Sequence, residues 1–266
     1  MKNELKKKLL SLCVSKALEF NSNDSNFFSE CLVNNKTFSF NINKFSTKWI
    51  KIYKEDFVHS LENEFNELIF KKNQYISFNE YITLKYFYLW ILPDFFEILP
   101  YLPPPSNISG ILNIGAGIGY LDIILSKLYS SNSLNYYLVE KKSSKNEKHY
   151  DGSDHLMVSN FNPLSLLKNN FMENDIKNAF FYEPEMFKKS IKSLFSKINL
   201  VISIRSYCYL YDIDEYYEVL KTVCRGDSLF ILDVNFTHAD EFKRKFKVLK
   251  VISSYKTHDR LLAYLK

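Results

Sequence analysis

A glycine-rich turn between an apolar run and an amphipathic segment is the feature that most restricts how this chain can fold. The run Ile111 to Ile114 is typical of a buried parallel strand, and apolar residues recur at helical spacing after Ile118. Between them lies Gly115-Ala116-Gly117-Ile118-Gly119, which holds three of the six glycines of the chain. A Cβ on such a turn would keep a ligand away from the first N–H groups of the helix. We therefore infer a turn that binds a nucleotide-like ligand.

An acidic residue further along the chain supports this inference. Glu140 follows the next apolar run, Tyr136 to Val139, and so stands at the end of a second predicted strand. A carboxylate in that place can accept two hydrogen bonds from a ribose diol. The turn and Glu140 together predict a ribonucleoside site, although a glycine turn on its own can also be an ordinary strand-to-helix connection.

The spacing of the glycines distinguishes two classes of cofactor. The dinucleotide fingerprint requires a small residue where this chain has Tyr120, and here the third glycine comes one residue early. G-x-G-x-G followed by an acid at the next strand end resembles motif I of the class I S-adenosylmethionine (SAM)-dependent methyltransferases. The resemblance implies that the turn wraps the methionine part of SAM and that Glu140 holds its ribose. The chain departs from the family at Asn113, where an acid is usual, so this position brings no charge to the ammonium end of the cofactor.

The resemblance covers about residues 110–266 and implies an α/β fold, a Rossmann-like seven-stranded methyltransferase sheet with a closing antiparallel strand. Apolar runs predict further strands at 178–182, 199–203 and 228–233, and a closing hairpin from 247–254 and 260–265. Residues 1–105 are expected to form an N-terminal helical extension, and residues 106–266 the SAM-binding domain. The extension is a candidate lid over the acceptor pocket, and packing or oligomerisation explains it equally well.

The candidate cofactor-binding residues lie in the turn and at the ends of the predicted strands. Glu185, or Glu183, follows the third strand, where the family contacts the adenine amino group, although both residues also suit a helix N-terminus. Ser203 ends the fourth strand, at a place that resembles motif IV by position. The full set is Asn113, Gly115, Ala116, Gly117, Gly119, Glu140, Glu185 and Ser203.

Methyl transfer from a sulfonium requires an acceptor held within about 3–3.5 Å of the methyl group and deprotonated when it is a hydroxyl. The candidate catalytic residues are His238, which follows the fifth strand, His155, in the segment after Glu140, and Arg205, at a strand end. An ion pair with Asp212 or Asp214 is the alternative role for Arg205. Three tyrosines, Tyr207, Tyr209 and Tyr211, suit either an acceptor pocket or the core and its rim. His258 is expected to be exposed in the closing hairpin.

Charge and cysteine spacing argue against several other classes of site. The formal net charge is +5, but basic residues are interleaved with acidic ones, so nucleic acid is an improbable partner. The four cysteines have no C-x-x-C spacing, and no metal site is indicated. The longest apolar stretch, Tyr86 to Leu102, is interrupted by prolines and acids, so no membrane span is expected and we expect a cytoplasmic protein.

The expected function is SAM-dependent O-methylation of a small polar or glycan-type acceptor. The segment from Ser203 to Tyr211 weakly resembles bacterial enzymes of sugar or capsule tailoring, and it lacks the Asn/Asp-Pro-Pro-Tyr/Phe sequence of amino-methylating enzymes. An RNA methyltransferase and a non-catalytic SAM-fold partner subunit are the alternatives. The sequence leaves the acceptor, the general base and the oligomeric state open.

Overall fold

The chain forms two compact units, Met1–Phe96 and Glu97–Lys266. The computed structural model describes residues 28–33, 36–41, 91–129, 134–140, 164–209 and 211–266. In the first unit, strands β1 (Phe28–Val33) and β2 (Lys36–Asn41) pair as an antiparallel hairpin. Helix α1 covers Leu92–Ile98. Most of the expected N-terminal helical extension, residues 1–27, 34–35 and 42–90, and the segment after Glu140 that contains His155 lie outside the described residues. The domain boundary near residue 106 and the lid stay predictions.

The second unit alternates strands and helices along the chain. Its strands are β3 (Gly110–Ile114), β4 (Asn135–Val139), β5 (Ala179–Tyr182), β6 (Ile198–Ser203), β7 (Cys224–Asn235), β8 (Phe246–Ser254) and β9 (His258–Leu265). Its helices are α2 (Tyr120–Tyr129), α3 (Leu164–Glu173), α4 (Pro184–Lys189), α5 (Ile191–Leu194), α6 (Asp214–Val223) and α7 (Ala239–Lys245). Short 3₁₀ turns cover Leu99–Tyr101, Pro105–Asn107 and Phe236–His238.

The strands of this unit form one seven-stranded sheet in the order β5-β4-β3-β6-β7-β9-β8. The first five strands in this order are parallel, whereas β9 is antiparallel to both β7 and β8. The predicted α/β class, a Rossmann-like seven-stranded sheet with a closing antiparallel strand, is therefore confirmed. The chain leaves β3 toward β5 and then crosses back to β6, so the strand order reverses between β3 and β6. In open α/β sheets the crevice at such a reversal, outside the carboxyl ends of the strands, is where ligands bind.

Helices cover both faces of the central strands, which explains why these strands are apolar throughout. Every residue of β3 and of β6 is buried. One face of the sheet carries Leu112 and Val201 in a cluster with Phe187 of α4 and Tyr216 of α6. On α3, Phe171 packs edge-on against Tyr136 of β4 and Phe181 of β5. Parallel strands buried on both faces lose the polar alternation of a one-sided sheet.

A buried ion network ties the closing strands to the start of the unit. Arg260 of β9 is fully buried, and its Nε and Nη2 donate to Asp233 Oδ1 and Oδ2 of β7 at 2.7 and 3.0 Å. Its Nη1 donates to Glu97 Oε2 at 3.0 Å, and the same oxygen accepts a hydrogen bond from the Tyr255 hydroxyl. Burial alone would raise the pKa of Asp233, but Arg260 and the hydrogen bonds from Arg260 and His258 lower it to about 2.

The expectation that His258 is exposed was wrong. Its ring is buried, stacks on Tyr255 at 4.4 Å between centroids and meets Tyr209 edge-on at 4.8 Å. Its Nε2 lies 3.5 Å from Asp233 Oδ2. The reason is that β9 begins at His258, two residues before the predicted start of the strand, and pairs there with Asn235 of β7. The residue belongs to the sheet and not to the connecting turn.

Substituting Arg260→Met should destabilise the protein strongly, because it leaves the Asp233 carboxylate buried without its cation. We expect a loss of about 3–5 kcal/mol in the free energy of unfolding. Arg225→Met is the matched control, since Arg225 lies 3.3 Å from Asp227 with side chains that are 48% and 72% exposed. An exposed pair of this kind contributes about 0–1 kcal/mol. Urea denaturation of both variants measures the difference, and equal losses would contradict the structural role of the Arg260 network.

Candidate functional site

The glycine turn is held in a left-handed backbone conformation. The φ angles of Gly115, Gly117 and Gly119 are 77°, 59° and 77°, a region that residues with a Cβ rarely adopt. The N–H groups of Gly115 and Ala116 both donate to the carbonyl of Val139, at 2.8 and 3.2 Å. These bonds attach the turn to the end of β4 and so place the next residue, Glu140, beside it.

The chain's own side chains occupy the space beside two of the three glycines. A Cβ on Gly115 would lie 1.9 Å from Ser206 Oγ, and a Cβ on Gly119 would lie 2.4 Å from Leu167 Cδ1 and 2.7 Å from Phe171 Cε2. The segment that follows β6 thus packs directly against the backbone of Gly115, and α3 packs directly against the backbone of Gly119. At these two positions internal packing requires a residue without a Cβ. The sequence pattern had suggested that the approach of a ligand requires it.

Glu140 joins the turn through its side chain. Its Oε2 accepts a hydrogen bond of 2.6 Å from the N–H of Gly117, and the residue is 7% exposed. A short bond from an N–H group to a carboxylate is charge-assisted and fixes the orientation of the carboxylate. The acid that the sequence places at the end of the second strand is therefore held directly against the glycine turn.

A small cavity of about 20 Å³ lies between the turn, Glu140 and the segment after β6. Its lining residues are Ile114, Gly115, Val139, Glu140, Pro184, Ser206, Tyr211 and Tyr216. They come from the carboxyl ends of β3 and β4, the start of α4, the β6–α6 connection and α6. Small-molecule sites typically measure roughly 300–1,000 Å³, whereas this cavity has room for about one water molecule, so a cofactor-sized ligand would lie mostly in the open crevice beside it.

The segment that follows β6 is strained and firmly anchored. Arg205 and Cys208 have φ angles of 55° and 65°, which are uncommon for residues with a Cβ. Ser203 Oγ donates to the Ile114 carbonyl at 2.7 Å and accepts from the N–H of Tyr207 at 2.8 Å. The N–H of Arg205 donates to Asp233 Oδ2 at 3.1 Å. Strain of this kind persists only where the surroundings impose it, and it concentrates at functional sites.

The structure separates the predicted cofactor-binding residues into three groups. Gly115 and Glu140 line the cavity, and Ala116, Gly117 and Gly119 form the turn beside it. Asn113 and Ser203 are buried beneath it, at 4% and 0% exposure. Glu185 points away from the core, since its side chain is 75% exposed and pairs with Lys188 at 3.0 Å. The assignment of these eight residues to a cofactor stays a prediction.

The predicted catalytic residues are not in the lining of this cavity. His238 follows β7 in the 3₁₀ turn, and its Nδ1 lies 3.9 Å from Asp212 Oδ1. Arg205 belongs to the strained segment, while Asp214, one of its two proposed partners, bonds to Lys245. His155 lies outside the described residues. Catalytic roles for these three residues stay predictions.

Sequence reasoning missed Ser206, Pro184 and Tyr216 as lining residues. Ser206 follows Arg205, whose left-handed backbone cannot be recognised from its residue type, so no sequence pattern identified Ser206 as a lining residue. Tyr216 falls on the buried side of α6 and resembles an ordinary core residue. Of the three tyrosines after β6, Tyr211 lines the cavity, whereas Tyr207 is fully buried and its hydroxyl donates to the Ile213 carbonyl at 2.7 Å.

Acidic side chains surround the aromatic wall of the cavity. Burial first, and then the negative charges of Glu215, Glu140 and Glu185, raise the pKa of Tyr216. Lys188 is the nearby cation, 3.5 Å from Glu215 and 5.4 Å from the centre of the Tyr216 ring. Since Glu215 and Glu185 both pair with Lys188, the carboxylate at the cavity wall is Glu140, and its negative charge favours a cationic ligand over an anionic one.

Two other classes of feature are not found in the described part of the chain. It contains no group of three or more His, Cys, Asp or Glu side chains that could hold a metal ion. None of its helices combines the length and the apolar character needed to cross a membrane.

No protein-family model and no curated protein matches the chain. Among solved structures it is similar to a SAM-dependent methyltransferase from Aquifex aeolicus, at 13% identity and a TM-score of 0.47 over 65% of this chain and 90% of that one. It is also similar to Aeropyrum pernix fibrillarin with natively bound S-adenosyl-L-methionine, at 10% identity and a TM-score of 0.44 over 63% and 72% of the two chains. A third similar structure is precorrin-6y C5,15-methyltransferase from Geobacter metallireducens, at 13% identity and a TM-score of 0.41 over 65% of this chain and 85% of that one. At such identities these similarities assign no activity.

Substituting Gly119→Ala should destabilise the fold, because the new methyl group would strain a left-handed residue and overlap Leu167 and Phe171. The two effects together should lower the free energy of unfolding by about 2–4 kcal/mol. Gly226→Ala is the control, since nothing lies within 4 Å of its added Cβ. That variant should be unchanged or up to about 1 kcal/mol more stable. Chemical denaturation checks both, and a Gly119→Ala variant as stable as Gly226→Ala would contradict the packing described for the turn.

Proposed function

We propose that this protein is a SAM-dependent methyltransferase whose cofactor lies in the crevice beside the glycine turn. The observation that carries the proposal is the Glu140 carboxylate, which the N–H of Gly117 holds at 2.6 Å on the wall of a cavity at the reversal of the strand order. A carboxylate in this setting accepts hydrogen bonds from the two hydroxyl groups of a ribose.

The lining of the cavity suits the rest of an adenosine. Tyr211, Tyr216 and Pro184 present apolar surface next to the carboxylate, as a site for a purine nucleoside requires. The Glu140 carboxylate on the cavity wall supports a ligand with a positive sulfonium and ammonium, and it opposes the pyrophosphate of a dinucleotide. This electrostatic argument agrees with the glycine spacing, which also favours SAM over NAD.

When bound, SAM supplies an electrophilic methyl group. The residues of this chain would bind the ribose at Glu140, shape the methionyl site with the turn and exclude water with the strained segment after β6. Ser206, which is 7% exposed and lines the cavity, would face the ligand at the boundary between β3 and β6. These are positioning roles, which in an in-line displacement supply much of the rate acceleration.

For the acceptor we propose a hydroxyl group of a small polar or glycan-type molecule. The segment after β6 lacks the Asn/Asp-Pro-Pro-Tyr/Phe sequence that grips an exocyclic amine, which argues against amino methylation. His238, whose Nδ1 lies 3.9 Å from Asp212 Oδ1, is the candidate base of the described residues. His155 and Arg205 remain candidates for the same step or for binding the acceptor.

Substituting Glu140→Gln should weaken SAM and S-adenosylhomocysteine binding by about 10–100-fold, which corresponds to the roughly 1.5–3 kcal/mol of a hydrogen bond to a charged group. Glutamine keeps an oxygen for the N–H of Gly117, so the turn should persist. Glu218→Gln is the control, because its side chain is exposed on α6, pairs with Lys221 and should leave the affinity within about twofold. Isothermal titration calorimetry measures both.

A thermal unfolding experiment tests the choice of cofactor. Thermal unfolding of the wild-type protein with a ligand at about 100 times its dissociation constant should raise the midpoint by several degrees. We expect this shift with SAM and S-adenosylhomocysteine and none with NAD. A shift with NAD alone would overturn the proposed cofactor, and unchanged affinity in Glu140→Gln would overturn the ribose assignment.

A further inference from the structure

A buried side-chain pair joins the two flanks of the glycine turn. Asn113 lies on β3 two residues before Gly115, and Asp122 lies in the first turn of α2, just after Gly119. The Nδ2 of Asn113 donates to Asp122 Oδ2 at 2.8 Å, and the two side chains are 4% and 0% exposed. Because the hydrogen bond spans the turn, any change in this pair acts on both ends of the glycine segment.

The remaining polar atoms of the pair lack partners. Asn113 Oδ1 and Asp122 Oδ1 are buried and accept no hydrogen bond from any described residue. With an ionised Asp122, the core would hold two unsatisfied acceptors and a negative charge, and no described Lys, Arg or His pairs with it. Such an arrangement is expensive, since an unpaired buried charge has neither water nor a counter-ion to stabilise it. One proton on Asp122 Oδ1 would supply the missing donor and remove the charge.

One proton is enough to pair both of these oxygens, because the acid and the amide have matching hydrogen-bonding edges. A carboxylic acid and a primary amide are both planar, and each presents one donor and one acceptor on the same edge. When the amide N–H bonds to one carboxyl oxygen, the acid O–H can point at the amide oxygen. The two atoms left without partners are the two that such a second bond would join.

We propose that Asp122 is held as the neutral acid and donates its carboxyl proton to Asn113 Oδ1, so that a cyclic pair with two hydrogen bonds keeps the glycine turn in shape. Asp122 is then a positioning residue for the turn, and its ionisation loosens the segment on which Glu140 and Ser206 rest. The consequence for ligand binding rests on the proposed SAM site, whereas the protonation itself does not.

The surroundings of the pair are consistent with a neutral acid at physiological pH. Burial raises the pKa of Asp122 to about 7, although hydrogen bonds from Asn113 and from its own backbone lower it. The titratable groups that interact with it are Tyr136 on β4 and, through Tyr136, Tyr129 on α2, and burial raises the pKa of both tyrosines. Both tyrosines are therefore uncharged near neutrality, so Asp122 is the group that titrates there.

The sign of the pH dependence follows from the raised pKa. The folded protein keeps a proton on Asp122 that the unfolded chain loses near its ordinary value of 3.8. This contribution to stability is therefore complete below pH ~4 and is lost as the pH rises to about 7, beyond which it stays constant. Asp122→Asn mimics the neutral acid, because an amide offers Asn113 the same donor and acceptor without a charge that can form.

The test compares wild type with Asp122→Asn by thermal unfolding between pH 5 and 8 without ligand. We expect the midpoint of the wild type to fall by several degrees relative to the variant and then to level off above pH ~7. The assigned carboxyl carbon of Asp122 in the wild type, followed by NMR, should titrate near pH 7. This second measurement needs no variant, so it decides the matter even if Asp122→Asn fails to fold. A constant difference between the two midpoints, or a carboxyl carbon that titrates near pH 4, would overturn the proposal.

Calorimetry with S-adenosylhomocysteine separates this proposal from the proposed function. If ionisation opens the turn, about one tenth of the wild-type protein is binding-competent at pH 8, so its affinity should be ~10-fold weaker than at pH 5. Asp122→Asn should bind with nearly equal affinity at both values. Equal wild-type affinities would overturn the link between the pair and the site. Failure of all proteins to bind would overturn the SAM assignment alone, provided that the unfolding and NMR results hold.

Discussion

Three left-handed glycines in five residues decide where the other elements of the site can lie. The turn they form bonds through Gly115 and Ala116 to the end of β4, which brings Glu140 against Gly117. The missing Cβ of Gly115 admits Ser206 from the segment after β6, and that of Gly119 admits α3. Four elements from distant parts of the chain therefore meet at one stretch of backbone. A side chain at Gly115 or Gly119 would displace one of them, which is why glycine is concentrated here in a chain that otherwise uses it sparingly.

The opposite wall of the crevice depends on the buried ion network between the closing strands. Asp233 accepts hydrogen bonds from the Arg260 guanidinium and from the backbone N–H of Arg205, so it joins β9 to the strained segment after β6. A buried ion pair contributes little net stability over an apolar one, because desolvation offsets the attraction. Its contribution here is geometric, since Asp233 also accepts the backbone N–H of Arg205, the left-handed residue that precedes Ser206. The antiparallel hairpin is thus part of the support of the site as well as the edge of the sheet.

The sequence predicted the sheet better than the site because the two depend on different kinds of information. Runs of buried residues such as Leu200 to Ile202 mark a strand locally, and the runs at 247–254 and 260–265 indicated the closing hairpin in the same way. The boundaries were less certain, and starting β9 two residues late made His258 appear exposed. The position of Ser206 depends on a left-handed Arg205 and on Asp233, which lies 28 residues further along the chain. No local pattern encodes such a contact, whereas Glu140 was found because it directly follows a strand.

Two carboxylates flank the glycine turn, and their surroundings differ. Glu140, at the wall of the crevice, accepts a short hydrogen bond from the backbone N–H of Gly117. Asp122, behind the turn, meets an amide in a fully buried space, which favours the neutral acid. In the methyltransferase motif that the glycine spacing resembles, the position of Asn113 usually carries an acid. This chain has an amide there and an acid across the turn, so the hydrogen-bonding pair can persist with its charge removed. If Asp122 is neutral, the negative charge beside the turn belongs to Glu140, where it faces the cavity and can act on a cationic ligand.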